Sequence, residues 1–206
     1  MTDLRVRDAR PEDRDAIREV TLAAYQEYAA AMPGFWEGYR RNIVASVTDV
    51  GSAEQLVAEL DGAIVGTVLL YPPRRMELPG GGRRDGEQPH LGPGHVEPAE
   101  RGRGIGGALM QECVRRVRRA GGRVLSLHTT ELMQTAMRMY QRMGFVRAPE
   151  LDFHPTPDTT VLGFHLDLGE AERHDEDPDQ ERVGVGQSHR GLVSVPSRQR
   201  VRRVGS

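Results

Sequence analysis

Lysine is absent from this chain: all 28 basic residues are arginine, set against 30 Asp and Glu, for a formal net charge of −2. A balance this even exerts no global pull toward nucleic acid or an anionic membrane. Arginine-only usage fits either phosphate recognition or a bias of the source genome. Cysteine is nearly absent as well. Cys113 alone excludes an internal disulfide and any cysteine-based metal cluster. Its helical spacing with Ile105, Leu109 and Val117 reads as a buried filler rather than a nucleophile. No apolar run approaches the ~20 residues of a membrane span. The charged stretch Met1–Arg10 lacks a signal-like apolar region, so a cytoplasmic location is expected. Aromatic residues are sparse, and 206 residues allow one domain with a core and a tail.

Local patterns place the elements. Leu4–Arg7 alternates as a strand. Pro11 opens a helix with Glu12 and Asp13 in its first turn, and Ile17, Val20, Ala24 and Tyr28 mark its core face. A second helix is expected over Trp36–Val47. Gln55–Leu60 and Ala63–Tyr71 read as strands joined by Asp61-Gly62, a strong hairpin signal. Pro72–Pro89, rich in Pro, Gly and Arg, reads as a long loop. Gly104–Ala120 is an amphipathic helix that stops at Gly121-Gly122. Val124–Leu127 is a strand, Leu132–Met143 a helix ending at Gly144, and Thr160–Leu168 a last strand. Strands alternate with helices in the middle and form hairpins at the flanks, so a mixed sheet in an α/β domain is expected. Beyond Gly169 an acidic block and a basic end lack a periodic apolar face, so residues 169–206 are expected to be a disordered charged tail.

The segment that carries chemistry is Arg101-Gly102-Arg103-Gly104-Ile105-Gly106, between a strand and a convincing helix. Its glycines let backbone N–H groups reach an anion, the helix N-terminus adds positive potential, and the arginines add donors. A phosphate or pyrophosphate is the expected ligand. No Gly-Lys-Ser/Thr follows, so it is not a Walker loop.

Arg101-x-x-Gly104-x-Gly106 resembles the pyrophosphate signature of the GNAT acetyltransferases, and Ala136-x-x-x-Tyr140-x-x-x-Gly144-Phe145 resembles its second half. The likeness spans about residues 4–168 and is most specific between Val96 and Phe145, with residues 1–168 as the acetyltransferase domain. It implies a mixed central sheet of about six or seven strands flanked by about four helices. It also implies acetyl-CoA as co-substrate without a metal, and a small-molecule or peptide amine as acceptor. Neither nucleic acid nor membrane is implied as a partner, and a homodimer is compatible with the family.

By the same resemblance the strand His90–Val96, with His95 and Val96, runs beside the pantetheine arm, and Arg101, Gly102, Arg103, Gly104, Ile105, Gly106 and Gly107 hold the cofactor. Tyr140 is then the general acid toward the leaving thiolate. The base is expected to be His128 or Glu131, with Glu77, Glu97, His95 and His154 as further candidates.

Two features depart from the family pattern. Gly92-Pro93-Gly94 falls in the expected cofactor-side strand, which should then shorten to Gly94–Val96 or weaken activity, because proline cannot donate to a ladder. Met133 stands where the family often has asparagine. A non-catalytic acyl-CoA-binding module is therefore an alternative, and a nucleic-acid-binding protein using Arg115, Arg116, Arg118 and Arg119 with the basic C-terminal tail is another.

Overall fold

In the computed structural model the described residues are 3–29, 36–73, 76–77, 83–84, 88–156 and 159–169. All lie within the unit Met1–Glu172; the expected tail falls outside them, apart from its first residue, Gly169.

The chain begins with β1 (Leu4–Asp8), a 3-10 turn (Pro11–Asp13) and α1 (Arg14–Gln26). Pro11 thus opens a tight turn that delivers the helix rather than the helix itself. Next come α2 (Trp36–Thr48), β2 (Glu54–Leu60) and β3 (Ala63–Tyr71). Asp61 and Gly62 have φ of 50° and 87°, the two positive angles that a tight two-residue hairpin turn requires. Within the expected loop, β4 (Met76–Glu77) and β5 (Arg83–Arg84) pair antiparallel; runs this short carry no alternation to read. Then follow β6 (His90–Val96), α3 (Ile105–Arg119), β7 (Val124–Thr129), α4 (Gln134–Arg142), β8 (Val146–Arg147), β9 (Phe153–Thr156) and β10 (Thr159–Asp167). The short strands β8 and β9 escape a sequence reading because neither is long enough to show a period.

The main sheet has eight strands in the order β1-β2-β3-β6-β7-β10-β8, with β9 beside β10. Among the described residues only β6 and β7 pair in parallel; the other pairs are antiparallel. Period-2 alternation divides the core. Leu56, Ala58, Val68, Leu70, Leu91, Leu125 and Leu127 pack with Ile105, Leu109, Cys113 and Val117 of α3. Val57 and Leu69 turn the other way, against Ile17 of α1 and Val47 of α2. Cys113 is fully buried, and burial pushes its thiol up to about 12, which suits a filler and not a nucleophile.

Arginines pin the helices to the sheet. Arg116 of α3 reaches Asp8 at 2.6 Å, Glu54 at 2.7 Å and Glu112 at 2.8 Å, while Arg115 pairs with Glu112. The arginine face considered for nucleic acid is thus partly spent on tying α3 to β1 and β2. Among the described residues no helix is long and apolar enough to cross a membrane.

Arg7 fixes the entry to α1. It donates to Asp13 at 2.6 and 3.0 Å and to Glu59 at 2.7 Å, and Asp13 also accepts the Arg10 N–H at 2.7 Å. The Arg7 and Asp13 side chains are only 13% and 8% exposed. Asp13→Asn removes one of two carboxylates from a largely buried guanidinium and is expected to cost about 3 kcal/mol in urea denaturation. The Arg7 hydrogen bonds hold the Asp13 carboxyl below its ordinary value, so the unfolded chain binds this proton more readily than the folded one. That stabilisation is complete above the ordinary carboxylate range near pH ~4 and drains away as pH falls through the folded value. Denaturation between pH 7 and 3 should therefore show a shallower acid loss for Asp13→Asn than for the native chain.

Candidate active site

The site begins with an interruption in the sheet. β6 and β7 pair at only two positions, His90 with Ser126 and Leu91 with Leu127. Past them β6 keeps its ladder with β3 as far as Val96, and β7 keeps its ladder with β10 as far as Thr129. Two central strands part company and a fork opens between them.

The Gly-Pro-Gly segment sits at that fork, and β6 nevertheless runs unbroken from His90 to Val96. The expected shortening is thereby corrected. Leu91 and Gly94 of β6 oppose Leu70 and Val68 of β3, so β6 absorbs one extra residue in a bulge. Pro93 lies in the bulge and beyond the last β7 partner, where its missing N–H forfeits no ladder bond. Gly92 is required by close approach: a Cβ there would stand 2.5 Å from Cε2 of Tyr71.

From Val96 the chain passes through a 3-10 turn, Pro98–Glu100, into Arg101–Gly104 and α3. Gly102 and Gly104 both have φ of 81°, a conformation that costs other residues strain. Gly104 is the residue that caps α3, and it brings no side-chain cap to the first turn. The helix thus presents uncapped N–H groups and the positive end of its dipole. A Cβ added at Gly102, Gly104 or Gly107 would meet nothing within 4 Å, so the space beside this turn is open. These features fit a bound phosphate or pyrophosphate.

Fork and helix end belong to one cavity of about 820 Å³. Of the expected site residues, His95, Val96, Arg101, Gly102, Gly104, Ile105, Gly106, Gly107, His128 and Tyr140 line it. Arg103 does not; it pairs with Glu100. Arg101 lines the cavity, yet its guanidinium reaches Glu27 at 2.8 Å and the Ala24 carbonyl at 3.4 Å, tying the loop to the end of α1. Glu131 is exposed and outside the lining, with its carbonyl accepting from Gln134 at 2.8 Å. Glu97 and the exposed His154 also stand outside the lining, and the Glu77 side chain falls outside the described residues. Met133 lines the cavity just before α4.

Two lining groups have informative protonation. His128 follows Leu127, the last β7 residue paired with β6, and its Nε2 lies 2.8 Å from the Leu151 carbonyl. A carbonyl only accepts, so Nε2 carries the hydrogen and Nδ1 is the basic atom of the neutral ring. Tyr140 lies against Phe145 with ring centroids 5.9 Å apart. Burial, with the nearby Tyr28 phenol second, pushes its hydroxyl up to about 12. It therefore keeps its proton across the physiological range.

Tyr25, Glu27 and Tyr28 also line the cavity, and sequence reasoning missed them as site residues. Along the chain Tyr28 reads only as a step in the apolar face of α1. The available signal was two tyrosines and a glutamate gathered at one helix end.

The acetyltransferase (GNAT) family model matches residues 16–145. The chain belongs to this family. A mycothiol acetyltransferase from Nocardia farcinica is 30% identical over 159 residues, covering 73% of this chain. That alignment takes in 47% of the relative, so the chain spans about half its length. A GNAT acetyltransferase from Brucella melitensis, solved in complex with acetyl-CoA, is 27% identical with a TM-score of 0.54, covering 82% of this chain and 90% of that one. A GCN5-related N-acetyltransferase from Kribbella flavida is 27% identical with a TM-score of 0.54, covering 80% and 97%.

The glycines of this GNAT loop make opposite demands. Gly104→Ala places a Cβ in a left-handed residue and is expected to cost about 1–2 kcal/mol. Gly107→Ala, inside α3 and in open space, should gain roughly 0.5–1 kcal/mol. Urea midpoints of the two variants check both signs.

Proposed function

We propose that this chain transfers the acetyl group of acetyl-CoA to a primary amine, with both reactants held at once in the β6–β7 fork. The observation that carries the reading is the continuity of the fork with the uncapped end of α3 inside one cavity. The acetyl-CoA bound to the Brucella relative supports the same ligand here.

When bound, acetyl-CoA supplies an activated thioester. Gly102, Gly104, Ile105, Gly106 and Gly107 would hold its pyrophosphate through backbone N–H groups and the helix dipole. Arg101 lines the same cavity but is held by Glu27, and Arg103 pairs with Glu100 outside the lining, so the backbone of the turn would carry the contact. His95 and Val96 would flank the arm that reaches into the fork. Holding the two reactants together contributes several kcal/mol by proximity.

An alkylamine with an ordinary pKa near ~10.4 is neutral in only about one molecule per few thousand at pH 7, a penalty of roughly 4–5 kcal/mol. His128 lines the cavity at the mouth of the fork and offers Nδ1 as the base, which favours it over the exposed Glu131. Tyr140 is the acid. A phenol near 12 is a weak acid beside a thiol of ordinary pKa ~8.5, so its first contribution is a hydrogen bond to the departing sulfur. On these values full transfer stays uphill even toward the free thiolate, so the hydrogen bond is what Tyr140 supplies at the barrier.

The acceptor class is a small-molecule or peptide amine, and both kinds belong in the first panel to screen. Calorimetry with acetyl-CoA, followed by a thiol-release assay against an amine panel, tests the reading. Binding near the micromolar range with turnover supports it, whereas binding without turnover leaves an acyl-CoA-binding module. Tyr140→Phe should lower kcat by about 100-fold while leaving acetyl-CoA affinity unchanged. An unaltered kcat would remove Tyr140 from the mechanism.

A further inference from the structure

His95 is the anomaly of the cavity wall. The residue is 7% exposed, it lines the cavity, and its Nε2 is buried without a hydrogen-bond partner. Ring packing explains its orientation but not its polarity: the Tyr25 ring lies edge-on at 4.5 Å between centroids. The groups around it have other commitments. Thr67, its cross-strand neighbour on β3, gives its hydroxyl to the Leu56 carbonyl at 2.9 Å. Arg101 is engaged by Glu27 at 2.8 Å. A buried nitrogen left unpaired pays its full desolvation with nothing in return, so a phenyl ring would suit the ligand-free fold better.

We propose that His95 Nε2 is a ligand contact, exchanging a hydrogen bond with an uncharged hydroxyl or amide of the molecules held in the fork. The inference rests on the acetyl-CoA reading above.

The class of ligand group follows from the imidazole's state. Burial, with Arg101 second, lowers His95 to about 3, so at neutral pH the ring carries one N–H, one lone pair and no charge. It cannot hold a proton taken from an ammonium, which excludes it from the role of base. It gives no ionic attraction to a phosphate. Its fitting partners are neutral donors and acceptors, and two sources offer them: the amides and hydroxyl of the pantetheine arm, or a hydroxyl beside the reacting amine of the acceptor. The position of His95 also supports a contact past the phosphate loop. It stands on β6 beyond the bulge and on the side that meets α1, whereas Val96 next to it packs with the α3 side of the core.

The test compares His95→Phe and His95→Gln with the native chain in three measurements: ligand-free Tm, acetyl-CoA affinity by calorimetry, and initial rates with ethanolamine against ethylamine. His95→Phe is expected to keep or raise Tm, since it removes an unpaired polar atom. It is also expected to lose about 10-fold in acetyl-CoA affinity, or to lose a native preference for ethanolamine. His95→Gln, which can place an amide near Nε2, should recover the lost quantity. Weakened acetyl-CoA binding assigns the contact to the pantetheine arm; a lost ethanolamine preference assigns it to the acceptor. A His95→Phe protein that fails to fold, or melts lower with both functional readouts unchanged, overturns the proposal and makes His95 a packing residue. A native chain that binds acetyl-CoA while His95→Phe binds and discriminates identically overturns this inference alone. A native chain that binds no acetyl-CoA overturns both readings.

Discussion

The rest of the structure hangs on a ladder that stops early. A central parallel pair normally continues for the length of its strands, because each unpaired backbone group inside a sheet is costly. Here β6 and β7 share two positions and then separate. Two other ladders hold the fork open: β6 stays on β3 and β7 stays on β10, so neither strand can swing back to close the gap. The bulge at Gly92-Pro93 belongs to the same device. A residue that donates no hydrogen bond is a defect in a continuous sheet and harmless at the edge of a fork.

Ion pairs fasten the helices to the sheet and to the loop before α3. Arg7 clamps the start of α1, Arg101 clamps its end, and Arg116 clamps α3 to the first two strands. Buried His95 and Cys113 and half-buried Tyr140 are each shifted by desolvation toward the uncharged form. Positive potential for an anion then comes from the N-terminus of α3, a source that needs no titratable side chain in the turn itself. An uncapped helix end and a neutral fork in one cavity suit a ligand that is anionic at one end and neutral at the other. They would let a chain with no lysine and a net charge of −2 hold a phosphate.

α1 has a double role in this arrangement. Its apolar stripe, with Ile17, Val20 and Ala24, packs on the sheet as a surface helix should. Its C-terminal end serves the cavity instead. Tyr25 packs on His95, Glu27 holds Arg101, and Tyr28 lies near enough to Tyr140 to act on its titration. The β6 wall of the cavity and the loop before α3 therefore both lean on the end of α1.

Much of this was legible in the sequence for a local reason. Asp61-Gly62 dictates its hairpin, the stripe from Ile105 to Val117 dictates α3, and the glycines before it permit a left-handed turn at its start, because each depends on residues a few positions apart. The same locality made Pro93 look damaging, since a proline is judged by the ladder it would join, and that ladder is set by β7, some thirty residues further along the chain. The sequence by itself therefore determined the longer elements, the family likeness and the glycine turn before α3. Only the tertiary structure decided that β6 survives intact, that Arg101 is claimed by α1, that Glu131 stands outside the cavity while His128 lines it, and that His95 is buried with an unpaired nitrogen. Each of these rests on pairing or burial between distant segments, and no periodicity or spacing along one segment encodes which partner will be missing.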